Sequence, residues 1–188
     1  MIAPEPTLEN MQKASLEAGV SSEDHVRGSP FAKVTLVAYG DFACPECATT
    51  YRTVKTIQKK MGARLRYVFR SFPQPEEYER SEEAAEAAEC ASSQGKFWEM
   101  HDRMFENRGA SDELHLARYA ADLGLDLGRF RREMREHVHL AKIRTVRKAG
   151  VRRGVVQAPT FFIDCSVHES AFGLATLLAA VQAAAGDS

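Results

Sequence analysis

The sequence predicts an α/β fold in which a mixed central sheet, of order βαβ…ββα, is interrupted by an all-helical domain. Three features predict it: an early strand–helix–strand unit, a long central helical block, and two short strands followed by a helix. With 188 residues, the chain is long enough for one domain with an insertion. We expect an N-terminal arm at 1–30, a discontinuous α/β domain at 31–73 and 151–186, and the helical insertion at 74–150.

Charge and hydropathy exclude several classes of function. The net charge of −1 and pI of about 6.6 do not indicate a surface for nucleic acid or anionic membranes. No apolar run approaches the roughly 18 residues of a membrane helix, so we expect no stable membrane insertion. The first residues lack the basic start and apolar core of a signal peptide, which predicts a cytoplasmic chain. A chain trimmed of its signal peptide would instead be periplasmic or extracytoplasmic.

The first α/β unit is predicted from hydrophobic periodicity. Residues 1–30 are polar and predict a short helix or a loose arm. The run "KVTLVAYG" (33–40) is almost continuously apolar, as in a strand covered on both faces. Residues 45–61 have the apolar spacing of a helix, and Gly62 supplies the stop. In "RLRYVFRSF" (64–72), apolar residues alternate with arginines, which predicts a second strand.

The rest of the chain is predicted to be helical until a final strand pair. Residues 76–150 show helical patterns that are broken at Gly95. The segment "QAPTFFID" (157–164) predicts a short strand, "CSVHESA" (165–171) a second, antiparallel strand, and "FGLATLLAAVQAAAG" (172–186) an amphipathic helix. This order of elements is thioredoxin-like, with a helical insertion in its middle.

A Cys-x-x-Cys motif lies where the first strand leads into the first helix. A nucleophilic sulfur must be a thiolate, and the first helical turn favours a thiolate at Cys44 through its unpaired N–H groups and the helix dipole. Pro45 suits the first helical position, where its missing donor is no loss. Cys47 lies on the same helical face, within disulfide reach. We expect an exposed Cys44 that attacks and a buried Cys47 that resolves the mixed disulfide.

Other roles for the cysteines have weaker support in the sequence. A zinc site needs a second ligand pair, whereas Cys90 and Cys165 are isolated, and His137 and His139 point to different helical faces. Two inert buried cysteines are the remaining alternative for the motif. Cys90 falls among alanines and is expected to be a core residue, and Cys165 is expected at a strand end. A disulfide between these two stays an open alternative.

Two further side-chain groups and one acid are expected to be structural. Asp41 is interpreted as a turn or cap residue rather than a base. An aromatic cluster with helical spacing is expected to pack the insertion: Phe97, Trp98, His101, Met104 and Phe105. A basic run is expected to form a solvated face: Arg144, Arg147, Lys148, Arg152 and Arg153.

Four segments together resemble the bacterial DsbA-like thioredoxin-fold oxidoreductases. They are "GSPFAKVTLVAYGDFACPECATTYRTVKTIQKKMGARLRYVFRSFP", "AAEAAECASSQGKFWEMHDRMFEN", "LARYAADLGLDLGRF" and "GVVQAPTFFID". The nearest branch is the one also found attached to some sodium/proton antiporters. The resemblance implies that Pro159 is a cis-proline facing the dithiol, with Ala158 and Thr160 beside it in the substrate-binding loop. A proline at the first position of a strand fits such a turn.

Three positions depart from the family pattern. Ala38 stands where relatives commonly carry an acid, Ala158 where threonine or valine is common, and Glu46 where histidine or tyrosine is common. A carboxylate at Glu46 is a like charge beside the Cys44 thiolate, so we expect a weaker oxidant than members with histidine. Because alanine cannot exchange protons, we also expect Glu46 to replace the missing acid when Cys47 is deprotonated.

These observations predict a thiol–disulfide oxidoreductase that exchanges a Cys44–Cys47 disulfide with protein or peptide thiols through a mixed disulfide. No metal or organic cofactor is expected. We expect a monomer, recycled by a redox partner that the sequence does not name. The alternative is a non-catalytic redox-sensing or peptide-binding module that regulates a partner such as a membrane transporter.

Overall fold

A computed structural model describes residues 19–107, 112–168 and 172–186. These residues fall into two compact units. One comprises residues 19–38, 53–69, 161–168 and 172–186, and the other comprises residues 39–52, 70–107 and 112–160. The predicted domain limits, 31–73 with 151–186 and 74–150, stay a prediction. The predicted arm lies largely outside the described residues.

The described residues contain one mixed sheet of five strands in the order β1-β3-β2-β4-β5. Its strands are β1 (His25–Arg27), β2 (Val34–Gly40), β3 (Leu65–Ser71), β4 (Thr160–Ile163) and β5 (Ser166–Val167). β1 pairs antiparallel with β3, and β4 pairs antiparallel with β5. The four strands predicted from the sequence are confirmed. Strand β1 was not predicted, because three residues are too few to show an alternating pattern.

Strands β2 and β3 are buried along their whole length. This agrees with the apolar pattern of β2, and in β3 the burial includes the arginines that alternate with the apolar residues. Arg66 and Arg70 are both buried, and each has a hydrogen-bond acceptor. Arg66 donates from Nε to the Thr35 hydroxyl at 3.0 Å, and Arg70 donates to the Tyr39 hydroxyl at 2.9 Å. These partners make burial of the two guanidinium groups tolerable.

Helix α1 (Pro45–Met61) follows β2 after residues 41–44, and the Cys-x-x-Cys motif lies at its start. Its apolar positions Val54, Ile57 and Met61 are buried, as their spacing predicts. A single 3₁₀ turn (Gly62–Arg64) ends the helix, and Gly62 has a positive φ of 56° that glycine adopts at little cost. The motif therefore lies at the start of an amphipathic helix whose apolar face is buried.

The helical block contains α2 (Ser81–Ser92), α3 (Phe97–Glu106), α4 (Glu113–Asp122), α5 (Leu127–Arg135) and α6 (Leu140–Arg152). The break predicted at Gly95 is present, and this glycine has a φ of 74°. Asp112 and Asp126 cap α4 and α5 by accepting backbone N–H groups. On α6, the predicted basic face forms ion pairs, with Arg144 bound to Glu82 at 2.8 Å.

Helix α7 (Leu174–Ala184) follows the strand pair, as predicted. It buries Leu177 and Val181 one turn apart, which is the spacing of an amphipathic helix. Within the described ranges, no helix is both long and apolar enough to cross a membrane.

Candidate active site

Cys44 occupies the N-cap position of α1. Its carbonyl accepts the N–H of Ala48 at 3.2 Å, and its sulfur accepts the N–H of Cys47 at 3.4 Å. A side-chain acceptor at this position satisfies a donor that the first helical turn leaves unpaired. All four cysteines of the chain are free thiols, so the structure holds the motif in its reduced form.

Both cysteines of the motif are buried: 2% of Cys44 and 3% of Cys47 is exposed. The expectation of an exposed first thiol is therefore wrong for this structure. Cys44 is covered from the side of Ala158, whose carbonyl oxygen lies 3.8 Å from the Cys44 sulfur. Burial of the Cys44 sulfur strengthens the effect of the helix N-terminus on its charge, because the local dielectric is low.

The two thiols have opposite pKa shifts. The hydrogen bond from the Cys47 side chain lowers the pKa of Cys44 to about 6; burial opposes this shift, and backbone N–H groups of the first turn add to it. Cys47 has its pKa raised, first by that same hydrogen bond to Cys44 and then by burial. The reduced pair is therefore a thiolate at Cys44 and a protonated thiol at Cys47 near neutral pH.

The loop before β4 faces the motif. The Ala158–Pro159 peptide bond is cis, the conformation that the family resemblance implies, and both residues are buried. The Ala158 N–H donates to the side-chain Oε1 of Gln74 at 2.7 Å. Thr160 donates its hydroxyl to the carbonyl of Gln157 at 2.7 Å, which closes the turn. Of the predicted loop residues, Ala158 is the one for which a contact with the Cys44 sulfur is recorded above.

Asp41 is a site residue whose role the sequence analysis underestimated. It is 1% exposed, and its own N–H donates to the Cys47 sulfur at 3.4 Å. Its carboxylate accepts the N–H of Ala43 at 2.9 Å, the N–H of Gln74 at 2.9 Å, and the hydroxyl of Ser81. The bond to Ala43 is that of a turn residue, as predicted. Burial raises the pKa of Asp41, and its charge contributes to the raised pKa of Cys47.

A family model described as thioredoxin matches residues 20–183. The chain belongs to the thioredoxin family. A thioredoxin-like oxidoreductase from Silicibacter pomeroyi DSS-3 has a TM-score of 0.79 and 25% sequence identity, covering 93% of this chain and 98% of that one. BdbD from Bacillus subtilis shares the fold, with a TM-score of 0.78, 18% identity, and coverage of 87% and 93%.

The thioredoxin domain also occurs within larger proteins. The Na(+)/H(+) antiporter NhaA 1 of Salinispora arenicola (strain CNS-205) is 37% identical over 161 residues, which are 86% of this chain and 24% of that protein. The Na(+)/H(+) antiporter NhaA of Herminiimonas arsenicoxydans is 34% identical over 169 residues, 89% of this chain and 27% of that protein. The chain thus spans about a quarter of the length of these curated relatives.

Tyr78 is a second site residue that the sequence analysis missed. Its phenol helps to lower the pKa of Cys44, and Cys44 in turn raises the pKa of Tyr78 to about 12; the side chain is half-buried. The residue lies in the loop between β3 and α2, remote from the motif in sequence, and no local pattern distinguishes it. By contrast, Pro45 and Glu46 occupy their expected positions in the first turn of α1, and both are exposed.

The remaining sequence candidates belong to the helical block. The Cys90 thiol, the Glu133 carboxylate and the His139 ring lie within 4.8 Å of one another, a grouping that could in principle hold a metal. The Glu133 carboxylate is already bound by Arg129 Nε at 2.6 Å, Ser93 Oγ at 2.9 Å and His139 Nε2 at 3.1 Å. These donors satisfy the carboxylate without a metal, so we interpret the group as an ion-pair network.

The predicted aromatic cluster also contacts aromatic residues outside the helical block. His101 is buried among rings of its own helix and also contacts Phe42 and Tyr51, each with ring centroids 5.8 Å away. Phe42 precedes the motif and Tyr51 lies on α1, so the cluster supports the segment that carries the two cysteines. His137 and His139 have different partners, Glu86 and Glu133, but they lie in the turn between α5 and α6, and not on two faces of a helix as expected.

Proposed function

We propose that this chain is a thiol–disulfide oxidoreductase that exchanges a Cys44–Cys47 disulfide with protein or peptide thiols. The opposite pKa shifts of the two thiols at the start of α1 carry this proposal. A thiolate with a pKa of about 6 is a good leaving group near neutral pH, and a protonated neighbour does not compete with it.

The bonds and electrons of the exchange are accounted for by the sulfurs of Cys44 and Cys47 and by the substrate thiols. A substrate thiolate attacks the Cys44 sulfur, the S–S bond breaks, and Cys47 leaves as a thiolate that takes up a proton. A second substrate thiolate then attacks the substrate sulfur of the mixed disulfide, and Cys44 leaves as a thiolate. Two electrons pass from the substrate dithiol to the motif, and the reverse sequence reduces a substrate disulfide. A redox partner must reset the pair after each cycle.

Substrate would lie along the loop at Ala158, Pro159 and Thr160. An extended segment there places its cysteine beside Cys44, because the Ala158 carbonyl is 3.8 Å from that sulfur. Recognition through the backbone requires little sequence preference, which suits exchange with many protein thiols.

Replacing each cysteine in turn tests the assignment. We expect Cys44→Ser to abolish oxidation of a reduced protein substrate, because the attacked sulfur is gone. Cys47→Ser should still react through Cys44 but accumulate mixed disulfides, which mass spectrometry detects after acid quenching. Cys90→Ser is a matched control for removal of a buried thiol, and it should retain turnover. If Cys47 is the thiol that is alkylated at neutral pH and Cys44 does not react, the two roles are assigned the wrong way round.

A second candidate function follows from the length of the relatives. The chain spans about a quarter of proteins named Na(+)/H(+) antiporters, so the domain is also a candidate for a redox-sensing module that regulates a partner. Reduction of insulin separates the two functions, because an enzyme turns over many equivalents with a reductant present. A module that only switches would consume one equivalent of disulfide per chain and then stop.

A further inference from the structure

Asp41 contacts both cysteines of the motif through its backbone. Its N–H donates to the Cys47 sulfur at 3.4 Å, and its carbonyl accepts the N–H of Cys44 at 3.3 Å. Asp41 is 1% exposed and Cys47 is 3% exposed, so water is largely excluded from this contact. A donor that faces a buried sulfur has a larger effect on its charge than a solvated donor, because the local dielectric is low.

The side chain of Asp41 holds this backbone in place. One carboxylate oxygen accepts the N–H of Ala43 at 2.9 Å, a bond that fixes the turn leading into α1. The other oxygen accepts the N–H of Gln74 at 2.9 Å and the hydroxyl of Ser81. Gln74 and Ser81 are buried and lie between the end of β3 and the start of α2. The carboxylate therefore ties the turn before the motif to a second buried segment.

The reduced structure shows the Cys47 sulfur as it stands after the first exchange step. In that step a substrate thiolate attacks Cys44, a new S–S bond forms, and the Cys44–Cys47 bond breaks. The electron pair of the broken bond stays on Cys47, which is a thiolate until it takes up a proton. The Asp41 N–H donates to the sulfur on which this charge appears.

We propose that the Asp41 N–H stabilises Cys47 as this sulfur leaves the disulfide, and that the Asp41 carboxylate positions the N–H for that role. This role rests on the proposed exchange reaction and adds a further group to its site. A donor already aimed at the sulfur stabilises the charge as it forms, without reorganisation of solvent. Cys44 and burial raise the pKa of Cys47, and the Asp41 N–H opposes that rise by more than the charge of Asp41 adds to it.

Two full-length variants test the proposal, one that keeps the charge of Asp41 and one that removes it. Ser81→Ala removes one donor to the carboxylate and leaves its charge. Asp41→Asn removes the charge, and one side of its amide donates where the carboxylate accepted. Each chain is oxidised with oxidised glutathione and mixed with dithiothreitol, and the freed thiols are counted by alkylation after acid quenching. We expect the rate constant to fall several-fold in Ser81→Ala and about tenfold in Asp41→Asn, as for loss of a hydrogen bond to a charged group.

Ser93→Ala is the matched control, because Ser93 also donates its hydroxyl to a carboxylate, that of Glu133, at 2.9 Å. Its rate constant should equal that of the parent. A role of Ser81 in the fold alone would predict a different result, since a loosened site exposes the disulfide and speeds its reduction. In Ser81→Ala the equilibrium with glutathione should move less than the rate constant, because Cys47 is protonated once the chain is reduced. Urea unfolding checks that each variant is folded, and Ser81→Ala decides alone if Asp41→Asn is not.

A rate constant at or above that of the parent in either folded variant would overturn the proposal. An increase in Asp41→Asn would assign the effect of Asp41 to its charge, because a negative neighbour disfavours the Cys47 thiolate. An equal fall in Ser93→Ala would also overturn it. Reduction by dithiothreitol needs no protein substrate, so it is separate from the insulin assay. A parent chain that fails the insulin assay, with both variants slowed toward dithiothreitol, would contradict the proposed function and leave the role of the Asp41 N–H established.

Discussion

At the scale of single residues, Glu46 is the feature expected to weaken the oxidant. Its side chain is exposed in the first turn of α1, two residues after the Cys44 thiolate that the same turn stabilises. A negative side chain next to a thiolate disfavours the charged sulfur, and a histidine cation would favour it. We therefore expect Glu46→His to raise the reduction potential, by about 30 mV for each tenfold change in the equilibrium constant with glutathione.

Glu46→Gln is the matched control for this prediction because it removes the charge and keeps the shape. Its potential should fall between those of the parent and Glu46→His. Added salt should reduce the differences among the three chains, since an exposed charge is screened by ions. A potential in Glu46→His at or below that of the parent would contradict the electrostatic account of this acid.

Asp41 is a buried acid whose backbone N–H contacts the Cys47 sulfur, a position that bears on the expected source of protons for Cys47. The sequence analysis assigned this role to Glu46, because Ala38 cannot exchange a proton, and that assignment stays a prediction. The structure places a different carboxylate, Asp41, among buried groups with its N–H on the Cys47 sulfur. No spacing rule connects an acid three residues before the motif with the second thiol, because the contact depends on how the turn into α1 folds back.

At the scale of elements, the loop between β3 and α2 connects the motif to the cis-proline segment through Gln74. The Gln74 N–H is bound to Asp41, while its side-chain oxygen accepts the Ala158 N–H at 2.7 Å. We expect Gln74→Met, which keeps the length but removes the acceptor, to slow exchange with a cysteine peptide several-fold. Exchange with a small thiol such as dithiothreitol should change little, because that thiol does not need the backbone at Ala158.

Gln94→Met is the matched control for that prediction. Gln94 is also a glutamine whose side chain accepts a backbone N–H, that of Asp126 at 2.8 Å, but it belongs to the helical block. It should leave the ratio of peptide to dithiothreitol rates unchanged. A Gln74→Met chain that reacts faster with the peptide would show that the glutamine amide competes with substrate for the Ala158 N–H instead of positioning it.

Most helices and strands could be predicted because the pattern of apolar residues that specifies each of them lies within its own segment. Apolar residues at helical spacing predicted α1, and a continuous apolar run predicted β2. Strand β3 was predicted from its alternation, but alternation normally indicates a strand with one solvated face and does not predict that the arginines are buried. Their burial depends on acceptors from another strand, Thr35 and Tyr39, which local periodicity cannot reveal. Tyr78 was missed for the same physical reason, since it influences the pKa of Cys44 from a loop that is remote in sequence.

At the scale of the whole molecule, the Glu133 network should control stability in acid. Burial opposes ionisation of this carboxyl, but hydrogen bonds from Arg129, His139 and Ser93 outweigh burial and lower its pKa to about 2. The ordinary value of 4.5 applies in the unfolded chain. A group whose pKa is lower in the folded state stabilises that state above its unfolded pKa, and this contribution is lost as pH falls toward the folded value.

We therefore expect Glu133→Gln to lower the free energy of unfolding at pH 7 by about 3 kcal/mol, as the size of the shift implies. The difference from the parent should shrink as the pH falls below 4.5 toward about 2, because protonation then neutralises Glu133 in the parent as well. Urea unfolding at a series of pH values measures both effects. Glu99→Gln breaks an exposed ion pair with Lys96 and should cost less than about 1 kcal/mol at every pH. A Glu133→Gln deficit that stays constant down to pH 2 would assign the stabilisation to packing around α5, and not to the charge of the carboxylate.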